Sequence, residues 1–96
     1  MQQVIDGKRY DTQTATLVAR GHYRVNKPFE PYDHHIALYR TPTGRYFAID
    51  APGWQGGREI LTPISEAEAV ELYMYGLPEH LVEFEDAFPD VVVEDA

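Results

Sequence analysis

The stretch HHIALYRTPTGRYFAID, residues 34–50, predicts the centre of the fold. Two alternating segments flank TPTG, in which Pro42 presets φ for a type I turn and Gly44 can adopt the left-handed conformation that follows it. The alternation places four large apolar residues on one strand face, which we expect to be the core: Ile36, Leu38, Phe47 and Ile49. Tyr39 and Tyr46 then lie on the opposite face with two alanines.

Further strands are predicted on both sides of this hairpin. The pair Asp6-Gly7 favours a two-residue hairpin turn, because both residue types tolerate positive φ. Asp11 to Thr14 can cap a short helical turn, and the β-branched and aromatic residues of TATLVARGHYRV, residues 14–25, are typical of a strand. Residues 26–33 contain two prolines and are predicted to form a loop. REILTPI, residues 58–64, predicts one more short strand.

Two helices are predicted in the last third of the chain. Ser65-Glu66-Ala67-Glu68 fits a capping box, in which the serine hydroxyl accepts from the third residue's amide and the glutamate reaches back to the serine amide. We expect this helix to end at Gly76 in a left-handed conformation, and a second helix to begin at Pro78 and end at Phe88. Three apolar residues recur at helical spacing and predict the buried face of the second helix: Leu81, Phe84 and Phe88.

These elements predict an α+β fold in a single domain, residues 1–96. An antiparallel sheet of about four or five strands occupies residues 2–63, two short helices cover it with residues 65–88, and residues 89–96 form an acidic tail. A chain of this size supports one modest core and is too small for a deep enclosed active site.

The residue types present argue against enzymatic chemistry. The chain has no cysteine, which excludes disulfides, thiol catalysis and cysteine-ligated zinc. Its only serine, Ser65, is explained by the capping box. His34 and His35 are adjacent at a strand start, so their side chains point to opposite faces and cannot easily share one metal ion. We therefore expect no enzyme activity, no metal and no cofactor; an enzyme that uses these histidines with carboxylates is the weakest alternative.

The apolar segments are short. MQQVIDGKRY, residues 1–10, lacks the apolar segment of a signal peptide, and no run approaches the roughly 18 apolar residues of a membrane span. We therefore expect a cytoplasmic protein, and the absence of cysteine is compatible with a reducing compartment.

Charge is distributed unevenly along the chain, whose formal net charge is −8. Residues 1–58 hold all eight Lys and Arg against five carboxylates, a charge of +3, whereas residues 59–96 hold eleven carboxylates and no Lys or Arg. Like charges one turn apart on a helix, such as Glu79 and Glu83, cost on the order of 0.2–0.5 kcal/mol per pair. The asymmetry indicates a partner with a basic protein surface and argues against binding to nucleic acid or an anionic membrane.

The candidate partner-binding residues are the carboxylates of the predicted helices and tail: Glu66, Glu68, Glu71, Glu79, Glu83, Glu85, Asp86, Asp90, Glu94 and Asp95. Helical neighbours lie about 5–6 Å apart, a density of the same order as one phosphate per about 3.4 Å on a DNA strand. The alternative is a solvated face that provides only solubility. Trp54, the only tryptophan, lies in the glycine loop APGWQGG, residues 51–57, and is either a core residue or a binding anchor.

Two blocks, VIDGKRYDTQTATLVA (residues 4–19) and YRTPTGRYFAID (residues 39–50), resemble a family of small proteins of phages and mobile elements in which GKRYDT, TLVA, YRT and GRYF recur. The chain also looks like the small acidic anti-CRISPR proteins, in particular an inhibitor of a type I-C system. This resemblance implies a stoichiometric inhibitor that docks on the crRNA-guided surveillance complex and blocks target DNA. It supplies no catalytic motif for numbered positions of this chain.

The sequence therefore favours a monomeric, non-enzymatic DNA mimic that acts in the cytoplasm of a bacterial host cell. Its expected partner is a basic, nucleic-acid-binding surface of a type I (Cascade-like) Cas complex, with no direct contact to nucleic acid and none to a membrane. The alternative is a small non-enzymatic accessory or structural protein of a phage or mobile element, for which the acidity provides only solubility.

Overall fold

Five antiparallel strands form the central sheet in the computed structural model, which describes residues 1–25, 32–52 and 58–96, with side chains except those of residues 23–25, 32 and 33. The strands are β1 (Gln2–Ile5), β2 (Lys8–Asp11), β3 (Thr16–Val25), β4 (Tyr32–Arg40), β5 (Tyr46–Pro52), β6 (Ile60–Ile64) and β7 (Glu79–His80). The helical segments are α1 (Glu66–Glu71), a π-helical turn (Leu72–Gly76) and α2 (Phe84–Ala87). The sheet has the order β6-β5-β4-β3-β7, and β1 and β2 form a separate hairpin. The predicted α+β fold is confirmed.

The predicted tight turns are present. Asp6 and Gly7, with φ of 52° and 74°, join β1 to β2. Gly44 has a φ of 85°, and its amide donates to the Thr41 carbonyl at 2.9 Å. The short helical turn after β2 closes where the Ala15 amide donates to the Asp11 carbonyl at 3.0 Å.

The register between β4 and β5 differs from the prediction by one residue. The Thr41 amide donates to the Arg45 carbonyl at 2.7 Å, and the Arg45 amide donates to Thr41 Oγ1 at 2.9 Å. Leu38 therefore pairs with Ala48, and Phe47 pairs with Tyr39. A shift of one residue turns a strand's whole side-chain set to the other face. The prediction that one face holds Ile36 and Leu38 together with Phe47 and Ile49 is wrong.

The face of the sheet that carries Leu38 is covered by the helical segments. The buried residues of this cluster are Val18, Ala19, Leu38, Tyr46, Ala69, Tyr73, Leu77, Ala87 and Phe88. Tyr46 stacks on Phe88 with ring centroids 5.1 Å apart, and its hydroxyl donates to the Ala87 carbonyl at 2.7 Å. These contacts hold α2 against the start of β5.

The face that carries Phe47 is covered by the β1–β2 hairpin. Tyr10 of the hairpin meets the Phe47 ring edge-on at 5.6 Å, and Tyr39 stacks on the same ring at 5.1 Å. Ile49 and Leu61 complete this second buried cluster. Leu38 and Phe47 are both fully buried, but on opposite faces, so the centre of the sheet is shielded from water on both sides.

α1 begins as predicted and ends differently. Ser65 Oγ accepts from the Glu68 amide at 3.1 Å, and Glu68 Oε1 accepts from the Ser65 amide at 3.2 Å, which completes the capping box. Gly76 is not left-handed, so that prediction is wrong. The Leu77 amide donates to the Leu72 carbonyl at 2.9 Å, a π-helical bond that ends the segment. A Cβ at position 76 would lie 2.8 Å from Leu72 Cδ1, so a larger residue there would displace the end of the Leu72 side chain.

The predicted helix from Pro78 to Phe88 is wrong for most of its length. Glu79 and His80 form β7, which pairs with Arg20 and Ala19 of β3. The Val18 carbonyl, beside the bulge in β3, then accepts from the amides of residues 81 and 82 at 2.9 and 3.2 Å. The exposed edge of β3 thus supplies backbone partners that compete with helix formation. Residues 84–87 alone are helical.

The predicted buried face of this segment holds only in part. Phe88 is buried and Phe84 packs against the same core cluster. Leu81 is 45% exposed, so its assignment to the core is wrong. Leu81 directly follows the extended strand β7 and precedes α2. It is therefore not part of a helix, and its spacing from Phe84 does not place it on a buried helix face.

Two predicted loops fall largely outside the described residues. Of the loop predicted at 26–33, residues 26–31 lie outside them, and residues 32 and 33 belong to β4. Of the glycine loop predicted at 51–57, residues 53–57 lie outside them, and residues 51 and 52 end β5. Trp54 is therefore not described.

We expect Ser65→Ala to lower the free energy of unfolding by roughly 0.5–2 kcal/mol, because it leaves the Glu68 amide without its partner. Urea denaturation followed by circular dichroism measures the change. Ser65→Asp, which keeps an acceptor at the cap, should retain most of the parental stability. Equal losses in both variants would contradict the capping assignment.

Tyr46→Phe should lower the free energy of unfolding by about 0.5–1.5 kcal/mol, because it removes the hydrogen bond to the buried Ala87 carbonyl. Burial raises the pKa of Tyr46 above its usual value of 10.0. Because the pKa of Tyr46 is higher in the folded state than in the unfolded state, the stability that its neutral hydroxyl gives the fold is complete below about pH 10. This stability is lost as the pH rises through the folded-state pKa. Chemical denaturation between pH 7 and 11 should therefore show a smaller alkaline loss in Tyr46→Phe than in the parent. The exposed Tyr75→Phe is the control and should follow the parent.

Candidate partner-binding surface

Three of the predicted binding residues lie on the outer side of α1. Glu66, Glu68 and Glu71 are exposed, whereas Ala69 of the same helix is fully buried against the sheet. The capping box fixes the first turn, and burial of one side of the helix fixes which side chains point outward. The sequence prediction of exposed carboxylates on this helix is confirmed.

Six further predicted carboxylates follow β7. All of them are exposed: Glu83, Glu85, Asp86, Asp90, Glu94 and Asp95. Ala87 and Phe88 anchor this segment in the core, so Glu83, Glu85, Asp86 and Asp90 beside them lie at the surface of a fixed segment. The Val91 amide extends the anchored region by donating to the Phe88 carbonyl at 3.1 Å.

The two groups of carboxylates flank the same core cluster, because Ala69 of α1 and Ala87 and Phe88 of the C-terminal segment all pack in it. Burial raises the pKa of Tyr46, and the nearby charges of Glu66 and Asp90 raise it further, against an opposing effect of Arg40. Burial likewise raises the pKa of Tyr73, with a smaller contribution from Glu83. Both tyrosines belong to the helix-covered core cluster. We call the nine carboxylates the acidic surface: Glu66, Glu68, Glu71, Glu83, Glu85, Asp86, Asp90, Glu94 and Asp95.

Glu79 differs from the other predicted carboxylates because it is ion-paired, so we do not count it in the acidic surface. Its carboxylate accepts from Arg20 Nε and a terminal guanidinium nitrogen, both at 2.9 Å. The hydrogen bonds from Arg20 lower the pKa of Glu79, and Glu79 raises that of Arg20. The pair joins β7 to β3, the strands that carry these two residues. Glu79 is thus a neutralised residue that supports the sheet edge.

The carboxylates of the acidic surface remain unneutralised. Among the side chains that the structure describes, none of these nine carboxylates forms an ion pair with a lysine, arginine or histidine. Glu68 alone has a side-chain hydrogen bond there, to the Ser65 amide. Their charge therefore faces solvent instead of a described basic side chain.

The spacing of these carboxylates is less regular than predicted. Glu68 and Glu71 are one turn apart on α1, as expected. Glu79 and Glu83 are not helical neighbours, because a two-residue strand and a bend lie between them, so the repulsion predicted for that pair does not apply. The acidic surface therefore combines one helical group with an irregular C-terminal group.

The histidines have other contacts. His34 Nδ1 lies 2.6 Å from Asp50 Oδ1. His35 pairs with His22 of the neighbouring strand β3, and the two ring centroids are 6.0 Å apart. The His80 ring stacks on Tyr73 at 3.8 Å. Within residues 1–25, 32–52 and 58–96, no three His, Asp or Glu side chains come close enough to hold a metal ion.

Two surface features were missed from the sequence. A groove of about 470 Å³ lies on the hairpin side of the sheet, where Met1 and Thr12 face Ala37, Ile49 and Ala51. The second is an exposed tyrosine, Tyr75, in the π-helical turn. In an ordinary helix, Tyr75 would lie on the same outer side as Glu68, seven residues earlier, so its exposure could have been predicted. The π-helical turn itself has no recognisable sequence pattern.

No protein-family model, curated protein or solved structure matches this chain. No helix among the described residues is both long enough and apolar enough to cross a membrane.

Glu79→Gln should lower the urea midpoint of unfolding, because it removes the paired charge that joins β7 to β3. Glu83→Gln is the matched change without an ion pair, and should leave the midpoint unchanged or slightly raised as repulsion falls. The lowered pKa of Glu79 means that its stabilisation is present above its usual pKa of 4.5 and is lost as pH falls through the folded-state value. The stability difference between the parent and Glu79→Gln should therefore shrink below about pH 4.5. Equal midpoints for the two variants at pH 7 would show that the ion pair does not stabilise the edge.

Proposed function

We propose that the protein is a non-enzymatic inhibitor that uses its acidic surface to occupy a basic, nucleic-acid-binding surface of a type I surveillance complex. The observation that carries this proposal is the solvent-facing, unneutralised charge of the nine carboxylates, in contrast to the neutralised Glu79. The sequence resemblance to acidic anti-CRISPR proteins supports the choice of partner. The protein then acts as a monomer in the cytoplasm of the bacterial host and has no direct contact with nucleic acid.

The physical basis is competition for the same positive field. A basic channel that holds nucleic acid gains free energy by neutralising phosphates and releasing their counterions. RNA-guided complexes hold their nucleic acid in positively charged channels and read it through its backbone. Carboxylates fixed on a folded surface can occupy such a channel, and the opposite fields of the two proteins accelerate their association.

The acidic surface is well suited to this role because most of it, from Glu66 to Asp90, is held by buried neighbours in the core. Phe88 and Ala69 are buried in the core cluster, whereas the carboxylates beside them in sequence are exposed. Binding therefore orders few additional backbone residues, which limits its entropic cost.

Two charge-matched double variants test the proposal. Glu85→Gln/Asp86→Asn removes two charges from the acidic surface, whereas Asp6→Asn/Glu59→Gln removes two exposed charges elsewhere. Asn at position 6 tolerates the positive φ of 52° found there. Inhibition is measured by the fluorescence anisotropy of labelled target DNA binding to a crRNA-loaded type I-C surveillance complex.

We expect the first variant to need roughly two- to thirtyfold more protein for half-inhibition, the range given by two exposed charge pairs of about 0.2–1 kcal/mol each. The control variant should inhibit like the parent, and both variants should keep the parental unfolding midpoint within error. If the first variant inhibits as well as the parent, or if the parent does not inhibit at all, the proposed mimicry is wrong. The acidity would then serve solubility, as in the accessory-protein alternative.

A further inference from the structure

The outer side of α1 and the π-helical turn carries an exposed aromatic residue among carboxylates. Tyr75 is 84% exposed, an unusual exposure for a tyrosine within a helical segment. It borders a shallow groove of about 380 Å³, which is lined by Glu68, Glu71, Leu72, Tyr75 and Gly76. We call these five residues the Tyr75 groove.

The local backbone builds this groove. Glu68, Leu72 and Tyr75 recur at helical spacing, and Leu72 is partly buried against the core, so its side chain forms an apolar floor. Gly76 leaves the space that Leu72 Cδ1 occupies, since a Cβ at 76 would lie 2.8 Å from it. The π-helical turn, a type of turn often found at functional sites, is held by the bond from the Leu77 amide to the Leu72 carbonyl.

Folding does not account for the position of Tyr75. Tyr73, two residues earlier, is buried, donates to the Val82 carbonyl at 2.8 Å and meets Phe84 and Phe88 edge-on. Tyr75, by contrast, makes no hydrogen bond or ring contact within the part of the chain that the structure describes. Its ring faces are therefore available to a partner.

We propose that the Tyr75 groove binds an arginine side chain of a basic protein surface. The guanidinium would stack on the Tyr75 ring while Glu68 and Glu71 supply the opposite charge. Arginine suits this combination better than lysine, because its planar group stacks on aromatic rings and binds carboxylates through two nitrogens at once. Tyrosine and arginine are also the residue types that most often dominate binding energy at protein interfaces.

The charge of the groove excludes the other main occupants. Nucleic acid would place phosphates next to Glu68 and Glu71. In a symmetric dimer whose axis passes through the groove, a second copy of this chain would bring the same carboxylates together. This inference rests on the proposed function and deepens it. It names one contact that makes binding specific for arginine, whereas the rest of the acidic surface attracts any basic partner through its negative charge.

The test compares two short peptides of equal charge, hexa-arginine and hexa-lysine, titrated into the full chain and followed by NMR shifts of the Tyr75 ring and the α1 amides. The parent should bind hexa-arginine more tightly than hexa-lysine. Tyr75→Leu should lower the affinity for hexa-arginine roughly two- to fivefold, the range for an exposed cation–π contact, with a smaller effect on hexa-lysine. Tyr75→Phe should keep the arginine preference, because the ring remains.

Met74→Ala is the matched control. Met74 is 52% exposed on the same turn but does not line the groove, so its removal should leave both affinities unchanged. Equal affinity of the parent for the two peptides, or an unchanged ratio in Tyr75→Leu, would overturn the inference. If the ratio falls in Tyr75→Leu while the surveillance complex is not inhibited, the arginine contact stands and only the proposed complex is wrong.

Discussion

The turn from Thr41 to Arg45 is the constraint on which the rest of the structure depends. Its hydrogen bonds set a register in which Leu38 and Phe47, both fully buried, lie on opposite faces of the sheet. Each face must then be covered, one by the helical segments and the other by the β1–β2 hairpin. A register shifted by one residue would exchange these faces and leave neither cover with its apolar partners.

Because the two faces of the sheet are buried by apolar residues, most surface carboxylates are not needed to hold the fold together. The helical segments are held through buried residues such as Phe88 and Tyr73, so their outward carboxylates, apart from Glu68 in the capping box, have no structural role among the described contacts. Glu79 is a further exception, because it lies on an edge strand and pairs with Arg20. The repulsion among the remaining carboxylates is small beside the burial of the aromatic core, which is why folding tolerates a surface that a basic partner can use.

The sequence predicted correctly those features that depend on neighbouring residues in the chain. The Asp6-Gly7 turn, the Gly44 turn and the Ser65 capping box are all present, because each depends on residues close together in the chain. The helix expected from Pro78 failed because the edge of β3, some 60 residues earlier, supplies its backbone partners. The ion pair between Glu79 and Arg20 could not be predicted from the sequence for the same reason, because the two residues come together only in the folded chain. The exposed carboxylates of α1 could be predicted, whereas the π-helical turn that presents Tyr75 could not.

The most direct measurement is the salt dependence of binding between this chain and a crRNA-loaded type I-C surveillance complex, with and without bound target DNA. DNA mimicry predicts that the logarithm of Kd rises linearly with the logarithm of salt concentration, because binding releases counterions from a basic surface. It also predicts that the DNA-loaded complex does not bind the chain. Equally tight binding to the DNA-loaded complex, or an affinity independent of salt, would contradict the mimicry.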